Sequence, residues 1–195
     1  MVQDRLRVGI ILSTTRPSRF AERPAQWLMD VASRRADFDI EIVDLNAFPM
    51  PFFEDENSPA WKAPVNEAAR RWGEKVDTFD GYVFVTAEYN HSIPAALKNA
   101  LDYAYNEFVR KPAAFVGYGG VGAARAVEHL RTILVELQMA PLKHAVHMNA
   151  GEYLAIAREG KMFSDFPHLE SAAELMLDQL GRWAKTLKRG RADSA

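Results

Sequence analysis

The chain has 195 residues, 48% hydrophobic and 26% charged, a length and balance that suit one globular domain with a single sizeable core. Its 24 Lys and Arg face 26 Asp and Glu for a net charge of -2, without the basic excess that general nucleic-acid binding leaves. The absence of cysteine excludes disulfides, thiolate catalysis and cysteine-ligated zinc or iron–sulfur centres, and no apolar run approaches the roughly 20 residues that span a bilayer.

The N-terminal MVQDRLRVGIILSTTR holds only a few apolar residues between charged flanks, too short for a signal-peptide core. It reads as the first strand, RVGIIL at 7–12, of a cytoplasmic protein with no membrane partner. A polar turn, STTRPSRF, leads into a helix through about 35 whose apolar positions Ala25, Leu28, Met29 and Ala32 recur at helical spacing. DIEIVDL, 39–45, predicts a second strand. NAFPMPFFEDENSPAWKAP carries four prolines and predicts a long irregular loop, of the kind that is usually functional or an interface. A helix over 65–77 follows, with Val65, Ala68, Ala69, Trp72 and Val76 as its apolar stripe.

GYVFVTA, 81–87, predicts the third strand, and Pro94 suits the first turn of the next helix, expected to continue through AALKNALDYAYNEF. AAFVGYG at 113–119 and LKHAVHM at 142–148 predict strands four and five, separated by a glycine-rich turn and a helix. Residues 149–167 read as irregular, a last helix as running from 168 to 187, and KRGRADSA as an exposed polar tail. Strand and helix alternate five times, which predicts a parallel sheet covered by helices on both faces in one domain, 1–195, with the tail from about 188 peripheral.

In such a sheet, ligands bind beyond the carboxyl ends of the strands where the strand order reverses. Three loops there are unusual. Ser13 to Phe20 gathers hydroxyls and two arginines at a helix N-terminus. That pattern fits a phosphate site, and equally helix capping with surface arginines. Gly117, Gly119 and Gly122 match G-x-G-x-x-G, but the following strand has no carboxylate and the match lies at strand four, so a Rossmann site is rejected. Those glycines fit either a tight turn or the close approach of a flat ligand. Glu88, Tyr89, Asn90 and His91 lie between the two. Phosphate at the first loop and a flat heterocycle between the others is the layout of an FMN site.

At these residues the chain resembles the NADPH-dependent FMN reductases. Ser13–Arg19 resembles their G-S-T-R-x-x-R, with Ser13 for the glycine and Thr14 for the serine. Ala87–Pro94 resembles their P-E-Y-N-x-S-x-P, with Ala87 for the first proline, and Ala96–Asp102 and Gly119–Gly120 match as well. The resemblance implies a flavodoxin-like three-layer sandwich: a five-stranded parallel sheet of order 2-1-3-4-5. It implies FMN as cofactor and NADPH or NADH as co-substrate, with electrons passed to a small-molecule acceptor. It implies phosphate contacts from Thr14 and Arg16 and the turn beyond, near Arg19 and Phe20, and contacts to the isoalloxazine and ribityl chain from Glu88, Tyr89 and Asn90, largely through backbone, and from Gly119 and Gly120.

No protein side chain is assigned a catalytic role, since the cofactor carries the chemistry. His91 is read as turn-stabilising, Asn99 and Asp102 as packing or interface residues, Met139, Met148 and Met162 as core or interface, and His144 with His147 as no metal site. Within the same class, a quinone, azo or chromate reductase differs only in the acceptor. An electron-carrier flavodoxin is the rival from another class, and the net charge of -2 argues against it. Phe48, Met50, Phe52, Phe53 and Trp61 exceed what one loop normally buries. The helix from Pro94 adds Leu97, Leu101, Tyr105 and Phe108 along one stripe, with Tyr103 beside it, either as an interface or as cover for the sheet. With the pairing seen in the resembling family, these residues imply a homodimer or a dimer of dimers.

Overall fold

The computed structural model describes residues 5–193, so the first four residues of the expected N-terminal segment and Ser194–Ala195 of the expected tail lie outside the described residues. The elements in order are β1 (Leu6–Leu12), α1 (Glu22–Ser33), β2 (Phe38–Asp44), α2 (Glu67–Asp77), β3 (Gly81–Ala87), α3 (Ala95–Asp102), β4 (Pro112–Tyr118), α4 (Ala124–Glu136), β5 (Ala140–Met148), α5 (Ala150–Arg158) and α6 (Pro167–Ala192). All strand pairs are parallel in the order β2-β1-β3-β4-β5, the flavodoxin-like order that the resemblance implies. Among the described residues no helix is long and apolar enough to cross a membrane.

The central strands are buried end to end because helices cover both faces. Period-two alternation then divides their side chains. Val83 and Val85 of β3 pack with Leu28 of α1 and Leu177 of α6. Tyr82 and Phe84 pack on the opposite face with Trp72, Leu97 and Leu130 of α2, α3 and α4. The Trp72 indole donates to the Ala100 carbonyl at 2.8 Å, joining α2 to α3.

Four boundaries differ from expectation. Val65 is 71% exposed and precedes α2, because Asn66 caps that helix by accepting from the Ala69 amide at 3.1 Å. α3 stops at Asp102. Glu107 takes the Tyr105 amide at 3.0 Å and a 3-10 turn at Asn106–Phe108 buries Phe108 without a continuous helix. Residues 150–158 are helical rather than irregular, started by Asn149, whose side chain accepts from the Gly151 amide at 3.1 Å. The polar ending continues α6 to Ala192, where Lys188 and Arg191 reach Asp80 at 3.0 and 3.1 Å.

Asp80 also accepts the Arg7 amide at 3.0 Å, so one nearly buried carboxylate ties β1, β3 and the end of α6 together. Removing it takes a carboxylate from two cations and from an amide. Asp80→Ala should therefore cost about 2–4 kcal/mol in urea unfolding. A loss within ~0.5 kcal/mol, as for an ordinary surface change, would show that the end of α6 is uncoupled from the sheet.

Candidate functional site

The strand order reverses between β1 and β3, and the loop leaving β1 lies at that switch point. The Ser13 amide continues the ladder by donating to the Val85 carbonyl at 3.1 Å. The Ser13 and Thr14 side chains are buried, yet Ser13 Oγ and Thr14 Oγ1 have no hydrogen-bond partner among the described residues. Buried hydroxyls are rarely left so, and two adjacent ones at a strand's carboxyl end mark a place for an external acceptor. Burial holds the Tyr118 hydroxyl well above its ordinary value and Thr14 draws it back in part, without satisfying Thr14 Oγ1.

The two arginines of the loop have different tasks. Arg19 is nearly buried. It donates to Asp44 at 2.7 and 2.5 Å, to Glu22 at 2.8 Å and to the Thr14 carbonyl at 2.8 Å. The hydrogen bond to Asp44 holds its guanidinium above the usual value against the cost of burial. Burial pushes the Asp44 carboxyl up, but the Arg19 and Asn46 donors outweigh it and leave that carboxyl below its ordinary value. Arg19 thus shapes the loop through its side chain. Arg16 is exposed and its side chain makes no hydrogen bond among the described residues; its guanidinium lies 5.8 Å from the Tyr89 ring centroid. It is the cation free to meet an anion beside the two orphaned hydroxyls.

The segment after β3 is a two-residue reversal. Tyr89 and Ser92 exchange backbone hydrogen bonds at 3.0 and 3.1 Å, while Asn90 and His91 take φ of 51° and 67°. Positive φ at both central positions is the type I′ requirement, and Asn and His are among the side chains that tolerate it. Exposed His91 therefore has the turn-forming place expected of it.

Glu88 points its side chain away from the turn, toward α4. Its carboxylate is paired with Arg125 and accepts the Arg125 and Ala126 amides at 3.1 and 3.3 Å, capping the helix. Burial pushes this carboxyl up, and the Arg125 hydrogen bond with the two amides reverses that and leaves it low. What Glu88 leaves toward the site is its backbone.

After β4 the glycines separate into two kinds. A Cβ on Gly117 would sit 2.4 Å from the Gly122 carbonyl oxygen, so that residue closes the turn. Gly119 (φ 135°) and Gly120 have no atom within 4 Å of such a Cβ, which leaves an open flat wall beside the other loops. His147 Nδ1 bonds the Gly122 carbonyl at 2.8 Å, a turn contact. Among the described residues no group of three or more His, Cys, Asp or Glu could hold a metal.

The expected residues converge. Arg16 over Tyr89 joins the first loop to the second, Glu88 joins the second to the third, and Phe20 packs edge-on against Tyr118 at 5.2 Å and Tyr153 at 5.0 Å. Sequence reasoning missed Tyr153, Asp44 and Arg125. The helix around Tyr153 had a legible start in Asn149 and Glu152. The other two have no local signal.

A cleft of about 500 Å³ opens next to the first loop, lined by Thr15, the segment Leu45–Phe52 and Ala95, Ala96 and Asn99 of α3. Asn99 donates to the Pro51 carbonyl at 2.7 Å and accepts the Phe53 amide at 2.9 Å, fixing the cleft's rim. Phe48 packs edge-on against Trp72 at 5.5 Å and Phe53 against Tyr103 at 5.1 Å, whereas Phe52 and Trp61 stay 82% and 84% exposed. Leu97, Leu101, Tyr103 and Phe108 are buried within the chain, so that stripe covers the sheet.

The low values of Asp44 and Glu88 give a pH dependence. A carboxyl depressed in the folded state adds stability that is complete above its unfolded value, about pH 4, and is lost as pH falls through the lower folded value. Asp44→Asn should flatten the fall of the urea midpoint on the acid side. An acid limb as steep as the parent's would remove Asp44 from that linkage.

The family model for NADPH-dependent FMN reductase matches residues 6–152. An NAD(P)H-dependent FMN reductase of Schizosaccharomyces pombe is 33% identical over 144 residues, 72% of each chain. A 2-hydroxy-1,4-benzoquinone reductase of Burkholderia is 31% identical over 141 residues, 69% of this chain and 73% of that one. Among solved structures, the flavoenzyme NAD(P)H:(acceptor) oxidoreductase FerB of Paracoccus denitrificans superposes with a TM-score of 0.69 over 93% of this chain and 98% of that one, at 24% identity, a likeness of fold. The family match runs through all three loops, and the chain belongs to the NADPH-dependent FMN reductase family.

Proposed function

We infer that the protein is an FMN-dependent oxidoreductase that takes reducing equivalents from NAD(P)H and passes them to a small-molecule acceptor. The observation that carries this reading is the pair of orphaned buried hydroxyls, Ser13 Oγ and Thr14 Oγ1, beside uncommitted Arg16. They supply donors and a cation for a phosphate monoester, and the open wall at Gly119–Gly120 admits a planar ring. FMN, when bound, supplies the two-electron chemistry. The chain's own share is to hold the phosphate with Thr14 and Arg16 and to offer the Glu88–Asn90 backbone to the ring. The apolar cleft beside the first loop, lined by Phe48, Met50 and Phe52, supports a flat aromatic acceptor, and the similarity to a 2-hydroxy-1,4-benzoquinone reductase supports a quinone as the second reading. Dependence on a soluble pyridine-nucleotide pool supports a cytoplasmic setting.

Purified protein should quench the fluorescence of FMN stoichiometrically, and NADPH under anaerobic conditions should bleach the bound flavin. No binding at tens of micromolar FMN would overturn the reading, and binding without bleaching would favour an electron carrier. Arg16→Ala should weaken FMN by about 1.5–3 kcal/mol, the range for a hydrogen bond to a charged group, or roughly tenfold or more in Kd. Equal affinity in variant and parent would locate the phosphate elsewhere.

We also propose a homodimer or dimer of dimers. Exposed Phe52, Trp61 and Val65 on one loop support it, as apolar groups of that size seldom stay in water together. Light scattering during size exclusion should give at least twice the chain mass of 21.9 kDa. A monomer with FMN bound and activity intact would refute it.

A further inference from the structure

Two residues of α4, Arg125 and His129, lie one helical turn apart on one side of the helix. Each bonds one shoulder of the turn that follows β3. Arg125 Nε donates to Glu88 Oε1 at 2.5 Å, and His129 Nδ1 is hydrogen-bonded to Ser92 Oγ at 2.7 Å. Between those shoulders Asn90 and His91 hold their left-handed backbone. At the start of α4, Ala123 holds another, with φ of 56°. Left-handed backbone is costly for a residue with a Cβ and persists only where its surroundings over-determine it. Three of the five such non-glycine residues among those described stand in these two turns, where the α4 contacts are. The Glu88 side chain is 7% exposed, a burial that a carboxylate tolerates only when it is paired and hydrogen-bonded as it is here.

We propose that Arg125 and His129 are positioning residues for the flavin. They form a two-point clasp from α4 that holds the Glu88–Ser92 turn against the Gly119–Gly122 turn, so that the two walls of the ring site behave as one body. The inference rests on the reading that these turns border FMN. It assigns the side chains of Glu88 and Ser92, and the α4 residue that each meets 37 positions on, Arg125 and His129, to the geometry of the cofactor rather than to its chemistry. A clasp acting on the cofactor alters affinity and the limiting rate of reduction. A clasp that merely braces the fold alters only the melting temperature of the apoprotein.

The experiment is a double-mutant cycle on Glu88→Gln and Arg125→Ala, read by FMN titration, apoprotein melting and anaerobic stopped-flow reduction by NADPH with FMN saturating. Each single variant should weaken FMN about tenfold, the effect of one hydrogen bond to a charged group. Each should also slow the limiting reduction step. The double variant should be no worse than the weaker-binding single one, because both changes break the same contact. Arg125→Lys should recover part of the loss, and Ser92→Ala and His129→Ala should show a smaller loss with the same shared-contact signature. Losses that add in the double variant would overturn the clasp, as would a lowered melting temperature with affinity and limiting rate unmoved. Should Arg125→Ala not fold, Glu88→Gln paired with Arg125→Lys, and Ser92→Ala paired with His129→Ala, carry the cycle with the same readouts. Failure of the parent to bind FMN would sink the reading of the site and the clasp with it. A parent that binds, with variants that bind equally well, would sink the clasp alone.

Discussion

A buried guanidinium has to find acceptors, and the Arg19 side chain, 6% exposed, finds them on three separate pieces of chain. It takes the carbonyl of Thr14, the carboxylate of Asp44 at the end of β2 and that of Glu22 in the first turn of α1. The arrangement depends on the parallel register, which places Asp44 beside Leu12, one residue before the loop begins. With the Thr14 carbonyl committed to Arg19, the loop is curled around a fixed point. Its buried hydroxyls are what remain uncommitted. The edge strand β2 therefore decides how the loop after β1 is shaped.

The same economy recurs around the crevice. Each loop is held by a group from a different element: Ser13 by the β3 carbonyl of Val85, Gly119 by the β5 carbonyl of Met148, Glu88 by α4, and the rim at Pro51–Phe53 by Asn99 of α3. None of these ties uses the groups offered to a ligand. A site built so is largely formed before its ligand arrives, and less ordering has to be done on binding.

The fold was legible wherever burial writes a continuous signal. VGIIL, YVFV and AAFV are apolar throughout because both sheet faces are covered, and the three polar loops followed them at the expected places. The reversal at Tyr89–Ser92 is also local, since Asn90 and His91 suit left-handed backbone. Signals failed where a neighbour far along the chain decides the outcome. Arg16 and Arg19 look alike in sequence. Only the parallel pairing of β1 with β2 supplies Asp44 to one of them and none to the other. Nothing local told where the Glu88 side chain goes, and it met an arginine 37 residues on. The helix at Tyr153 was hidden by its brevity and by Gly151 in its first turn, although Asn149 announced it. The stripe from Leu97 fitted a surface or a core equally well, and only the packed sheet decided between them.

The segment between β2 and α2 is pinned at its two shoulders and at Pro59–Ala60 between them. Asn99 and Tyr103 grip it near Phe52, Asn106 meets Pro59 and Ala60 from below, and Asp55 folds back onto the Val65 amide. Its apex contributes nothing to the sheet. Insertions, deletions and exchanges of aromatic residues there can be tried by evolution without a stability penalty to the sandwich, because the shoulders absorb the change. A chain of this design can rewrite one stretch of about a dozen residues while the loops after β1, β3 and β4 stay as they are.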